Sequence, residues 1–156
     1  MNIVILHCHF ERGGVTQVVE NHVRWLRDWD GIERIVLVSG NRANGLGGQT
    51  LEAVDAICLP EFDYDTQSHD PDSLQSRASR IADQVTKQLA GIGVTSDNAI
   101  LHWHNHSLGK NTAAPQMVRV LAQSGWRVLL QIHDFAEDNR PGLYRRLIES
   151  SGAVDK

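Results

Sequence analysis

Histidine is the residue type whose positions in this chain first suggest chemistry. Six of the eight histidines fall in three short polar groups, and each group follows an apolar run. The groups are His7-Cys8-His9, then His102, His104, Asn105 and His106, and finally His133-Asp134. A neutral imidazole can bind a sugar hydroxyl or a phosphate, it can ligate a metal, or it can be buried as a hydrogen-bonded core residue. The residues alone leave these three interpretations open.

The spacing of His102, His104 and His106 resembles a metal-ligand pattern. Residues two apart on a strand share a face, but three such residues extend over about 13 Å, too far for one ion unless the strand bends. The spacing therefore weakens the metal interpretation and leaves sugar or phosphate recognition and buried core histidines both open, and we expect neither a bound metal nor a cofactor. A metal-dependent hydrolase remains an alternative.

Gly13 and Gly14 lie between the first apolar run and a helical pattern that starts at Val15. Glycines let a ligand approach the backbone, and the start of a helix offers unpaired N–H groups and partial positive charge to an anion. An ordinary strand-to-helix turn would have the same composition. No later glycine completes a Gly-x-Gly-x-x-Gly motif and no P-loop is present, so a dinucleotide site is disfavoured.

Apolar runs alternate with amphipathic patterns along the chain. The runs predict strands over residues 3–6, 35–38, 55–59, 99–103 and 128–132, and the patterns predict helices over 15–29, 71–91, 113–123 and 143–149. This alternation predicts an α/β, Rossmann-like fold over residues 1–156, with a doubly wound, mainly parallel sheet and helices on both faces. In the usual order the first, fourth and fifth strands are neighbours. All three polar groups would then lie at one edge, where such sheets bind ligands.

Composition excludes several classes of function. Hydrophobic residues are 41% and charged residues 22% of the chain, as in ordinary globular domains. A net charge of −4 without a basic stripe argues against nucleic-acid binding. Two cysteines form no disulfide framework, which favours a reducing, cytoplasmic compartment. The apolar N-terminal run is too short for a signal peptide, and any membrane contact would be peripheral.

Three motifs resemble the N-terminal, acceptor-side domain of family-4-type retaining glycosyltransferases, which have the GT-B fold. They are Gly13-Gly14-Val15 with the helix after it, His102-Trp103-His104-Asn105, and His133-Asp134-Phe135. The resemblance implies transfer of a sugar from a nucleotide-activated donor to a sugar, lipid or small-molecule acceptor. It also implies catalysis by positioning and electrostatic stabilisation of the diphosphate leaving group.

The resemblance further implies roles for individual residues. Substrate would be bound by Gly13, Gly14, Val15, His104, Asn105, Glu137 and Arg140, and the catalytic residues would be His133 and Asp134. The family's second, nucleotide-binding domain has no counterpart in these 156 residues, so we expect the chain to need a missing C-terminal domain and to be inactive alone. A non-catalytic Rossmann-like module that binds a small anion, a sugar or a protein is the other alternative.

Overall fold

The computed structural model of this chain describes residues 1–66 and 71–151. Its strands are β1 (Asn2–Leu6), β2 (Arg34–Ser39), β3 (Asp55–Cys58), β4 (Ala99–His104) and β5 (Arg127–Gln131). Its helices are α1 (Gly14–Leu26), α2 (Gly48–Glu52), α3 (Pro71–Gly91), α4 (Ala114–Gln123) and α5 (Pro141–Ser150), with a 3-10 turn at Pro60–Phe62.

The five strands form one sheet in the order β3-β2-β1-β4-β5, and every neighbouring pair is parallel. The strand order reverses between β1 and β4, so the carboxyl ends of these two strands mark the topological switch point. The predicted α/β, Rossmann-like fold is confirmed, and so is the adjacency of the first, fourth and fifth strands.

The central strands are buried on both faces, which explains why their sequences are apolar without alternation. Val4 and Leu6 of β1 pack into the core formed with α3 and α4, whereas Ile3 and Ile5 pack with Val19 and Val23 of α1. Consecutive residues of a strand point to opposite faces. Alternate side chains of β1 and β4 therefore face α1, and the others face α3 and α4.

The last strand is not covered like the central ones. β5 lies at the edge of the sheet, and Leu129 and Leu130 are 53% and 40% exposed. An apolar run looks the same in a covered strand and in an edge strand, so composition does not distinguish the two. Ile132, which we placed in the strand, follows it and is also exposed.

Several boundaries also moved. Helix α1 ends at Leu26 rather than at residue 29, and β4 continues to His104, so His104 lies inside the strand together with His102. Helix α2 begins at Gly48, directly after Gly47. A Cβ on Gly45 would lie 2.3 Å from the backbone nitrogen of Arg12, so this position needs glycine. Among the described helices, none is long and apolar enough to cross a membrane.

Candidate functional site

The three polar groups meet at the carboxyl ends of β1, β4 and β5. Nδ1 of His7 donates to the carbonyl oxygen of His104 over 2.9 Å. Nδ1 of His104 and Nε2 of His133 share a hydrogen bond of 2.8 Å, and the rings of His7 and His9 lie 5.4 Å apart. The prediction that these four histidines lie together at one edge of the sheet is confirmed.

Burial keeps the two central imidazoles neutral. Desolvation lowers the pKa of His7 to about 4 against the opposing hydrogen bond to His104, and neighbouring histidines and Lys110 lower it further. Desolvation also lowers the pKa of His104 to about 2, with His102 and His133 adding to the effect. Because Nδ1 of His7 carries the proton that it donates, its Nε2 is left with a lone pair that can accept a hydrogen bond from a ligand.

Asn105 joins the end of β4 to the end of β5. Its side-chain oxygen accepts from the backbone N–H of His133 at 2.7 Å and of Asp134 at 3.3 Å. Its side-chain nitrogen donates to a carboxylate oxygen of Asp134 at 3.2 Å. The backbone φ of Asn105 is 53°, a left-handed value that asparagine adopts more readily than most residues. The side chain of Asn105 therefore positions His133 and Asp134.

A cavity of about 160 Å³ opens between these strand ends and the start of α1. It is lined by His7, His9, Glu11, Gly13, Gly14, Val15, Thr16, Tyr64, Asn105, Leu108, Lys110 and Asp134. A Cβ on Gly14 would meet no atom within 4 Å, so the backbone is open to a ligand at this point. No side chain caps the N-terminus of α1, which leaves amide donors of its first turn available.

The opposite wall of the cavity is a polar network around Tyr64. The hydroxyl of Tyr64 contacts Nε2 of His9 at 2.6 Å and also contacts Nζ of Lys110. Lys110 and Arg42 lie over its ring, 4.5 and 4.3 Å from the centroid, and Arg42 pairs with Glu11 at 2.7 Å. No sequence motif pointed to Tyr64 or Lys110, because both lie in loops.

Cys8 lies beside His7 but is a poor nucleophile. Its Sγ is 3.8 Å from Nε2 of His7. Burial raises the pKa of the Cys8 thiol to about 11, so almost no thiolate exists near neutral pH. A Cys–His nucleophilic pair is therefore disfavoured at this site.

The other predicted site residues lie around the cavity rather than on its wall. His104 and His133 are behind Asn105, and Nη2 of Arg140 lies 3.3 Å from a carboxylate oxygen of Asp134. Glu137 is exposed and is not one of the residues that line the cavity. The substrate-binding and catalytic roles of all these residues stay predictions.

A wider cleft of about 890 Å³ lies on the far side of Tyr64. The three arginines in its lining are all in ion pairs, Arg42 with Asp63, Arg77 with Asp65, and Arg80 with Glu61. Cations that are already neutralised attract an anionic ligand less than free ones do. The smaller cavity is therefore the better candidate for an anion site.

A second cluster of histidines lies on the α1 side of the sheet. Ring nitrogens of His22, His102 and His104 lie within 4.8 Å of one another. His106, which the spacing had grouped with His102 and His104, instead lines a small void of about 20 Å³ with Trp103. His22 lies in the helix predicted over residues 15–29, and no motif in the sequence indicated a role for it.

A curated protein sequence aligns with nearly the whole chain. Mannosylglucosyl-3-phosphoglycerate synthase of Petrotoga mobilis is 30% identical over 166 aligned residues, which cover 96% of this chain. The chain spans 30% of the length of that relative. No family model and no solved structure matches the chain. The similarity is to a glycosyltransferase, and it supports glycosyl transfer as the general class of reaction.

Proposed function

We propose that this chain is the N-terminal, acceptor-side domain of a retaining GT-B glycosyltransferase of the family-4 type. The complete enzyme would transfer a sugar from a nucleotide-activated donor to an acceptor held at the carboxyl edge of this sheet. The observation that carries the proposal is the cavity that combines the open start of α1, the neutral imidazole of His7 and the cation of Lys110. Most of the matched relative lies outside the aligned region, where a donor-binding domain would find its counterpart.

The start of α1 is the proposed phosphate subsite. The first amides of α1 and the ammonium group of Lys110 line the same cavity. Backbone N–H groups and helix-end charge stabilise an anion in this position. The relative is named for a phosphoglycerate product, so the acceptor that we propose for this chain also carries a phosphate.

The acceptor hydroxyl would be held by groups on the strand side of the cavity. Nε2 of His7 can accept a hydrogen bond, and the carboxylate of Asp134 lines the same space. We propose that His133 contacts the transferred sugar and that the side chain of Asn105 holds the backbone of His133 in place. The acceptor oxygen would bond to the anomeric carbon as the bond from that carbon to the diphosphate oxygen breaks, and the proton of the acceptor hydroxyl would pass to the leaving diphosphate. Positioning with charge stabilisation would lower the barrier.

Binding of a phosphorylated acceptor tests the subsite without the second domain. We expect 3-phosphoglycerate to shift the amide resonances of residues 13–16 of this chain, and we expect Gly14→Val to weaken binding by at least tenfold. Gly48→Val is the matched control, because Gly48 starts a short helix away from the cavity and also has open space around its Cβ position. Equal affinity in the wild type and in Gly14→Val would place the phosphate elsewhere.

The catalytic assignment requires the complete enzyme. We expect His133→Ala to lower turnover strongly, because a hydrogen bond of roughly 0.5–1.5 kcal/mol is lost and its contribution grows where charge develops. The melting temperature should change little, and a chelator should not abolish transfer. The 156-residue chain alone should release no nucleoside diphosphate from a nucleotide sugar. Unfolding of the His133→Ala variant would instead make His133 a structural residue.

A further inference from the structure

The cluster of His22, His102 and His104 has the composition and geometry of a three-histidine metal site. His102 and His104 are two residues apart on β4 and share one face of the sheet, and α1 places His22 above that face. Ring centroids are 4.4 Å apart for His102 and His104, 5.2 Å for His22 and His102, and 5.6 Å for His22 and His104. Three imidazoles from two elements thus converge on one point.

Two of the ring nitrogens in this cluster are buried without a hydrogen-bond partner. They are Nδ1 of His22 and Nε2 of His104, and the side chain of His104 is fully buried. Buried polar atoms normally have partners, so two unpaired nitrogens on neighbouring rings point to a ligand that the protein itself does not supply. Nε2 of His102 donates to the side-chain oxygen of Gln131 at 2.8 Å, which leaves Nδ1 of His102 as the nitrogen with a lone pair.

One ring nitrogen of His102 and one of His104 have outer partners of the kind that orient metal-binding histidines. His102 is held by Gln131, and Nδ1 of His104 is held by Nε2 of His133 at 2.8 Å. Such contacts fix the tautomer and the orientation of a ligating ring. If His104 ligates through Nε2, its Nδ1 carries the proton and donates it to His133.

We propose that His22, His102 and His104 bind one divalent transition-metal ion, and that this ion links α1 to β4. Zinc is the ion with which we would test the proposal. Three imidazoles suit zinc, and a fourth position would be open to water or a small anion. Tetrahedral zinc with Zn–N bonds of about 2.0–2.1 Å needs nitrogens about 3.3 Å apart. The nitrogens lie within 4.8 Å of one another, so the rings would have to approach by up to about 1.5 Å to bind the ion. This inference does not rest on the proposed glycosyl transfer.

A competing set of ligands lies close by and must be separated in the experiment. His7, Cys8 and His9 also bring potential ligand atoms within 4.8 Å of one another. Nδ1 of His7 is bonded to a carbonyl, Nε2 of His9 to Tyr64, and the thiol of Cys8 is protonated. This set therefore offers fewer free lone pairs than the cluster of His22, His102 and His104.

Zinc titration of the untagged, chelator-stripped chain tests the proposal. We expect saturable binding of one ion per chain by calorimetry, a higher melting temperature with zinc, and a four-coordinate absorption spectrum with cobalt. His22→Gln and His104→Gln should each weaken zinc binding by at least tenfold. Gln131→Ala, which removes only an outer partner, should weaken it by roughly tenfold.

Cys8→Ser and His106→Gln are the matched controls, and both should bind zinc like the wild type. His22 is half-buried on a helix and glutamine is a good helix former, so His22→Gln should fold without metal. If His104→Gln fails to fold, the zinc affinity of His22→Gln alone tests the proposal. Absence of saturable zinc binding, unchanged affinity in His22→Gln, or loss of binding in Cys8→Ser would each overturn the proposal.

Discussion

The group His7-Cys8-His9 and the group His22, His102 and His104 contain similar side chains but use them differently. In the first group one ring nitrogen of each histidine bonds to the protein, at 2.9 Å from His7 to a carbonyl oxygen and at 2.6 Å from His9 to Tyr64. In the second group, two buried nitrogens have no partner among the described residues. The contacts of the first group thus hold a cavity wall in place, whereas the second group keeps buried nitrogens that no protein group satisfies.

The supporting elements differ in the same way. The first group lies on a loop that backbone bonds fasten to its neighbours, from the nitrogen of Phe10 to the oxygen of Arg42 at 2.7 Å and from the nitrogen of Gly40 to the oxygen of Cys8 at 3.0 Å. The second group lies on a helix and a central strand. A loop needs many hydrogen bonds to hold its side chains in position, whereas a helix or a strand positions side chains through its own regular geometry. The ring nitrogens of the second group can therefore stay without protein partners.

Acid should destabilise the protein in part through His7 of the first group, in addition to the effect of His104. Burial lowers the pKa of His7 from 6.5 to about 4, so the unfolded chain binds this proton at a higher pH than the folded chain does. The contribution to the free energy of unfolding is complete above pH 6.5, declines as pH falls, and is lost by pH 4, a change of about 3 kcal/mol. Urea unfolding at pH 7 and pH 4.5, with chelator present, measures it.

His7→Asn is the control for this prediction, because the amide nitrogen of asparagine can donate to the carbonyl of His104 as Nδ1 does. The variant cannot take up the proton, so its stability should fall less between the two pH values. If it falls as far as that of the wild type, the acid sensitivity arises in other histidines, and the two groups do not differ in this respect.

The rates of thiol alkylation distinguish Cys8, in the first group, from Cys58, and so test how well the first group is protected from solvent. Burial raises the pKa of Cys8 from 9.0 to about 11, which lowers its thiolate fraction roughly hundredfold. A more basic thiolate is intrinsically more reactive, which offsets about tenfold of this loss in the reaction rate. We expect Cys8 to react with iodoacetamide at least about tenfold more slowly than the exposed Cys58. Cys58→Ser and Cys8→Ser give each rate alone, and equal rates would mean that the loop opens readily.

Removing one hydroxyl should have the smallest effect. Tyr64→Phe deletes the group shared by His9 and Lys110, and we expect a loss of about 1 kcal/mol in the free energy of unfolding with no change in zinc affinity. Tyr144→Phe, at a half-exposed tyrosine on α5, is the control and should be neutral. A change in zinc affinity in Tyr64→Phe would show that the two groups are coupled.

The sequence predicted the sheet topology and the edge at which the polar groups meet, because buried parallel strands and βα turns have strong local patterns. It did not predict the His22 cluster. The spacing of His102, His104 and His106 suggested one extended set, whereas the third histidine of the cluster, His22, lies on a helix 80 residues before His102. Tyr64 and Lys110 were missed for the same reason, since tertiary packing alone brings their loops to the cavity.

The exposed apolar residues of β5 have a consequence for the isolated chain. An edge strand with free backbone N–H and C=O groups and apolar side chains is a template for another strand, and Leu129, Leu130 and Ile132 provide such a surface. Charged residues protect many natural edges, but Arg127 is the sole charged residue of β5. At high concentration, copies of this chain are therefore expected to aggregate by pairing these edges, and the edge sets a limit on how concentrated the isolated chain can become.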